Sequence, residues 1–250
     1  MTAMTAATVT CAAACALLVL AEWRGVHRLR VAAKLAASAA FVVAGIQAAP
    51  LGTSWFARCM LAGLALGALG DAALLGGSWR SFKAGLFAFL LGHVAYLAGI
   101  AQLEHPARWL FDAGLISALP IGVGLGVLGA LWPRLGPLRL AVTAYMAVIT
   151  VMVVAAIGVA RAGALPAPQR YWLAWGAVLF FLSDLAVARD RFLWRGFANK
   201  LWGLPAYYAA QLLIAWSLTS SSCRADDAGP CCGRGPACEP PPSWPSCGDP

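Results

Sequence analysis

Charge is what this chain has least of. Asp, Glu, Lys and Arg make up 11% of its 250 residues, against about 25% in soluble domains. That deficit excludes a surface bathed in water. Histidine is scarce too, with three in the chain, few for a zinc site built on imidazole. Strand-like alternation is missing, which rules out a β-barrel. A Ser–His–Asp spacing, GxSxG, HExxH and a P-loop are all missing, which removes the best-marked hydrolase and nucleotide-binding routes. Acidic residues are the rarer sign, 10 against 18 basic, for a net charge of +8. In a soluble chain that balance would suggest nucleic acid. Here the basic residues sit in short loops between apolar runs, with no basic stripe and no interleaved aromatics, so no nucleic-acid partner is expected.

What is abundant is apolar. Hydrophobic residues reach 61% and the mean hydropathy is +0.76, so lipid is the expected solvent. Eight stretches are long enough to span, at roughly 4–22, 31–49, 55–76, 82–101, 109–131, 138–160, 171–189 and 201–219, near the ~20 residues a bilayer requires. The fold class expected is an all-α membrane protein of eight transmembrane helices. The first stretch has no basic residues before it, so it reads as a spanning helix and not a cleaved signal. Pro120, inside the fifth, is expected to kink it. Pro205, in the first turn or so of the eighth, costs little there.

The loops share their charge unevenly. The odd-numbered ones carry Arg24, Arg28, Arg30, Arg80, Lys83, Arg134, Arg139, Arg189, Arg191, Arg195 and Lys200, whereas the even ones carry Arg58, Arg108, Arg161 and Arg170. The positive-inside rule therefore puts the odd loops in the cytoplasm and both termini outside, in a membrane of the bacterial inner (cytoplasmic) type. Composition changes abruptly after residue 219. Residues 1–219 read as one membrane domain. Residues 220–250, rich in Pro, Gly and Cys, read as a disordered tail. Cys223, Cys231, Cys232, Cys238 and Cys247 lack paired CxxC spacing and a nearby histidine, so no metal is expected there. Cys11, Cys15 and Cys59 fall in apolar runs and read as small core residues.

An ionisable group at bilayer depth costs ~2.5–3.5 kcal/mol, so each one needs a reason. Asp71 comes late in helix three, Asp184 late in helix seven, His93 midway along helix four and Lys34 in the first turn of helix two. Tyr207, Tyr208 and Gln211 follow along helix eight, and Tyr96 lies one turn past His93. With the helix directions above, Lys34, Asp71, Asp184, Tyr207 and Gln211 fall in the cytoplasmic half of the bilayer, with His93 and Tyr96 nearer the middle. A single polar cavity open toward the inner leaflet accounts for that alignment. Asp190, Asp112 and Glu104 lie at loop edges, where solvation is expected. Gly70-Asp71-Ala72-Ala73 and Ser183-Asp184-Leu185-Ala186 occupy matching places in helices three and seven, which hints at a parallel 4+4 repeat.

Two carboxylates sharing an apolar cavity do not both ionise, so one is left as a general acid and the other as a base or charge stabiliser. Acid-labile ethers suit such a pair, because they break through an oxocarbenium ion. The same buried Asp and Lys also suit a transporter that couples to protons without hydrolysis.

The segments LGALGDAALL, FKAGLFAFLLGHVAYL, the AYM of helix six, WGAVLFFLSDLAVARDRF and AYYAAQLLIAWS, in that order, resemble the YhhN family of lysoplasmalogenase-like membrane proteins. The resemblance covers roughly residues 30–219. It departs at Leu35, where the family usually has proline after the early lysine. The resemblance implies eight spanning helices and hydrolysis of the vinyl ether bond of a lysophospholipid, the lysoplasmalogen, to a fatty aldehyde and a glycerophospho-base, with no cofactor. It assigns Asp71 and Asp184 as catalytic. Lys34, Tyr207 and Gln211 match its supporting polar positions, and His93, Tyr96 and Tyr208 join them as candidates beside the site. Lys34 or loop arginines such as Arg80 are expected to hold the phosphate.

Overall fold

A computed structural model of the chain describes residues 2–49 and 54–219. The tail from residue 220 onward, with its five cysteines, lies outside the described residues. Nine α-helices and no strands are present among those described: α1 (Thr2–Arg24), α2 (His27–Ala48), α3 (Trp55–Leu74), α4 (Trp79–Ile100), α5 (Trp109–Ala113), α6 (Ala118–Leu131), α7 (Arg139–Ala162), α8 (Gln169–Phe192) and α9 (Phe197–Trp216). Side chains such as Leu115, Leu140 and Phe111 are more than four-fifths exposed. A protein that turns large apolar groups outward in this way is solvated by hydrocarbon, and the chain is an integral membrane protein.

Seven described segments are long and apolar enough to cross a bilayer, with α5 and α6 counted together as Pro106–Arg134. α9 has the length but less hydropathy, and the reason is positional. Its polar residues face inward: Tyr207, Tyr208 and Gln211 are buried, while the helix packs against α8, α2 and α1. The last helix thus carries its polar residues on its inward face and apolar ones such as Leu201 and Trp202 outward.

Three sequence expectations change. The fifth stretch is broken before Pro120, not at it. Gly114 has φ +58°, a left-handed backbone natural to glycine, and a 3-10 turn, Gly114–Ser117, joins α5 to α6. Pro120 is the third residue of α6, where its missing N–H has no partner to lose. α9 begins at Phe197, so Pro205 lies inside the helix. α2 begins at His27, so Lys34 sits about two turns in, deeper than the first turn expected of it.

Small residues bring α3 close to its neighbours, as helix contacts in lipid favour. A Cβ on Gly92 would sit 3.3 Å from the Gly63 carbonyl oxygen, and one on Gly67 would overlap the Gln211 amide. Gly67→Ala should therefore cost about 1–3 kcal/mol by overpacking. The readout is a lower melting temperature in detergent; an unchanged one would mean that Gln211 moves aside freely. Cys11, Cys15 and Cys59 are free and buried, as expected.

The basic loops coincide with a tryptophan belt. Arg24 stacks on Trp23, Arg191 on Trp79, Arg139 on Trp132 and Arg189 on Trp194, with 4.9–5.6 Å from guanidinium to ring. Cation–π pairs of this kind suit the headgroup layer, where one side of each residue is wet.

Candidate functional site

α1, α2, α3, α4, α7, α8 and α9 enclose a cavity of about 340 Å³. Its walls are mostly apolar, with Leu86, Phe89, Val142, Met146 and Phe181 among them. Asp71 and Asp184 both line it, as do Lys34 and Tyr207. Four polar residues from four different helices thus meet in one space, as the alignment of their depths implied. His93 lines no part of it but lies directly behind Asp184; Tyr96, Tyr208 and Gln211 form a layer behind Tyr207.

The two aspartates have unlike surroundings. Asp71 comes one turn before the end of α3 and is 2% exposed. Its Oδ1 is 2.9 Å from Lys34 Nζ, and its Oδ2 accepts a 2.7 Å hydrogen bond from Ser38 Oγ. Ser38 follows Lys34 by one turn of α2 and so shares its face. The carboxylate is therefore neutralised by a cation and fixed at both oxygens. Asp184, on α8, has no cationic Lys or Arg within ion-pair distance among the described residues. Its Oδ2 accepts a 2.9 Å hydrogen bond from Tyr145 Oη, and His93 Nε2 lies 3.7 Å from the same oxygen, beyond hydrogen-bond length. Asp184 Oδ1 makes no hydrogen bond among the described residues.

Aromatic rings wall off this region. His93 packs edge-on to Phe180 at 4.5 Å and to Tyr145 at 5.3 Å. Tyr207 packs against Phe41, Phe89 and Phe180. Gln211 joins the layers behind: Tyr96 donates to its Oε1 at 2.6 Å and its Nε2 donates to Tyr207 Oη at 3.1 Å. Because α9 starts early, Gln211 lies about four turns into the helix, level with Tyr96 and deeper than Asp71.

Arg80 is exposed and is not among the residues that line the main cavity. The simple solvation expected at the loop edges does not survive. Asp190 is not merely solvated: its Oδ1 accepts from Gly196 N and Asn199 Nδ2, both at 3.1 Å. Asp112 and Glu104 flank Arg108, at 3.4 Å and 3.6 Å, with their side chains largely covered. The sequence reading missed Tyr145, Ser38 and a Lys200–Glu22 pair at 2.7 Å that ties α9 to α1 beside the cavity. Hydroxyls in apolar helices gave a signal for Tyr145 and Ser38: each is one of few polar side chains on its helix, and Ser38 lies at i+4 from Lys34. Among the described residues no group of three or more His, Cys, Asp or Glu is arranged to hold a metal ion.

Fold and site together define a helical integral membrane protein with an acid-lined cavity at helix depth. The chain belongs to the YhhN family, whose model matches residues 29–218. It is 34% identical over 188 residues to lysoplasmalogenase TMEM86B of Sus scrofa, covering 72% of this chain and 71% of that one. It is 32% identical over 197 residues to a lysoplasmalogenase of Mycobacterium bovis, covering 75% and 70%. Lysoplasmalogenase TMEM86A of Bos taurus matches at 30% over 161 residues, 64% of each chain. No solved structure matches. The chain is a hydrolase of the lysoplasmalogenase-like kind.

Proposed function

We propose that the cavity hydrolyses the vinyl ether bond of a lysoplasmalogen, with Asp184 as acid and Asp71 as the fixed negative charge. One observation carries this reading: carboxyl groups from α3 and α8 line the same cavity, one paired with a cation and one not. Family membership and the relatives' names support the substrate class.

The two surroundings divide the roles. Asp71 is paired with the Lys34 ammonium and so serves as the opposing charge. Asp184 stands in an apolar wall with no Lys or Arg within ion-pair distance among the described residues, and the role of proton donor falls to it. Tyr145 donates to Oδ2 and leaves Oδ1 to present that proton. The substrate reads R–CH=CH–O–R′. Asp184 protonates the carbon remote from oxygen, and the double-bond electrons form that C–H bond. The carbon bearing oxygen becomes an oxocarbenium ion, stabilised by the Asp71 carboxylate across the cavity. Water adds to that carbon and gives its proton to Asp184. The hemiacetal then breaks its bond to the glycerol oxygen, which takes the hydroxyl proton, and aldehyde leaves. One water is consumed and the carboxyl groups return to their starting states.

Phe89, Val142, Met146 and Phe181 suit the alkenyl chain. Basic loops and the arginine–tryptophan belt support placing the odd loops in the cytoplasm, with the substrate entering from that leaflet.

Purified protein in detergent should release aldehyde from a lysoplasmalogen with no ion gradient. Proton-coupled transport without hydrolysis predicts no aldehyde there and uptake only into sealed vesicles. Tyr145→Phe, which removes the donor to Asp184, should lower turnover about tenfold to a hundredfold while the protein stays folded. Unchanged turnover would detach Tyr145 from the acid.

A further inference from the structure

One buried polar side chain beside the cavity takes no part in the hydrolysis of the vinyl ether. His93, on α4, is 1% exposed, and neither of its ring nitrogens has a hydrogen-bond partner among the described residues. The Phe89 carbonyl approaches the ring from one turn back, without the geometry of a hydrogen bond. Buried polar groups are nearly always paired, and an unpaired one is costly. A phenylalanine would fill the same place against Phe180 and Tyr145 without that cost, so packing alone does not account for an imidazole. The ring does have a direction. Its Nε2 lies 3.7 Å from Asp184 Oδ2, the oxygen that already accepts from Tyr145 Oη at 2.9 Å. That gap is less than an ångström beyond an ordinary N–H···O bond.

We infer that His93 is a positioning residue for the acid: its Nε2–H closes on Asp184 Oδ2 as that carboxyl group gives up its proton, and steadies the carboxylate that results. The role rests on the reading of Asp184 as the acid. A neutral carboxyl group is a weak acceptor, and the Tyr145 hydroxyl suffices for it. When Oδ1 gives its proton to the vinyl carbon, the O–H bonding pair stays behind and the charge spreads over both oxygens. Oδ2 then draws a second donor. A neutral imidazole carries one N–H, and beside an oxygen that only accepts, that hydrogen belongs on Nε2. Phe180 and Tyr145, edge-on to the ring at 4.5 Å and 5.3 Å, hold it facing Asp184. A lysine in this place would be a permanent counterion, as Lys34 is for Asp71; a neutral ring is a donor only. The bond is therefore short in the charged state and long at rest. An interaction made in the transition state and not before it speeds the chemical step without tightening the hold on substrate. His93 loses no proton itself. When the hydrating water returns a proton to Asp184, the contact relaxes to its longer distance.

The test compares turnover, binding and melting in two variants of the full chain in detergent. His93→Phe keeps a ring between Phe180 and Tyr145 but has no N–H. Its kcat for aldehyde release should fall about tenfold to a hundredfold, the worth of one hydrogen bond to a charged group. Equilibrium binding of a non-cleavable 1-O-alkyl lysolipid, followed by tryptophan fluorescence, should be unchanged, because His93 does not line the cavity. The melting temperature should hold or rise, since an unpaired buried polar group has gone. His93→Gln, whose amide can donate toward the same oxygen, should recover part of the lost kcat. A purely structural histidine predicts the reverse pattern, a lower melting temperature in His93→Phe with turnover per folded molecule intact. Wild-type kcat in His93→Phe overturns the inference. So does a loss matched by weaker binding of the alkyl lipid, and so does a His93→Gln variant as slow as His93→Phe. The hydrolase reading fails separately: it falls if the wild type releases no aldehyde, and Asp184 loses its role if Asp184→Asn keeps normal turnover. Normal turnover in His93→Phe beside a silent Asp184→Asn sinks the role of His93 alone.

Discussion

Asp184→Asn should lower aldehyde release by about a thousandfold, the loss expected when a positioned general acid is removed. The amide keeps the shape of the carboxyl group and can still accept from Tyr145, and no Lys or Arg is left without its counterion. Folding should therefore be unaffected, and melting temperature in detergent should match the wild type. Asp71→Asn should cost turnover on a similar scale, because the oxocarbenium loses its opposing charge. That change leaves Lys34 without a partner, but the Lys34 side chain is 13% exposed and can turn toward the headgroups. Its stability cost is accordingly smaller than its catalytic cost. Near-normal turnover in either variant would remove that aspartate from the mechanism, and a collapse of folding in both would make them packing residues.

The opposite variant of the same pair has the larger structural effect. Lys34→Met strands the Asp71 carboxylate, which is 2% exposed. Removing one partner of a buried pair costs about 3–5 kcal/mol, chiefly because the other charge stays behind. The melting point should fall accordingly. Adding Asp71→Asn to Lys34→Met should restore much of the lost stability, since no buried charge remains, without restoring turnover. Rescue of this kind is what a double-mutant cycle detects in residues that touch. Additive losses would mean that the 2.9 Å contact carries no energy.

Much of this was legible in the chain. Spanning helices follow from apolar length alone, and the common depth of Lys34, Asp71, Asp184 and Tyr207 follows from helix direction. Other parts were hidden for physical reasons. The break at Gly114 is a backbone choice that a glycine permits but does not announce. α9 starts at Phe197 because Asp190 accepts the Gly196 N–H and ties Asn199 to the preceding turn, a clasp with no hydropathy signature. The unlike surroundings of the two aspartates were unreadable as well. Their flanking residues look alike, Gly-Asp-Ala-Ala against Ser-Asp-Leu-Ala, and the difference lies in partners from other helices, Lys34 and Ser38 for one, Tyr145 and His93 for the other.

Carbon protonation by a carboxyl group leaves an isotopic mark. Purified protein given a lysoplasmalogen in heavy water, with the aldehyde trapped as it forms, should yield product carrying one solvent deuteron on the carbon next to the carbonyl. Product free of deuterium at that carbon would contradict the account, because the ether would then have broken without a proton ever reaching the double bond.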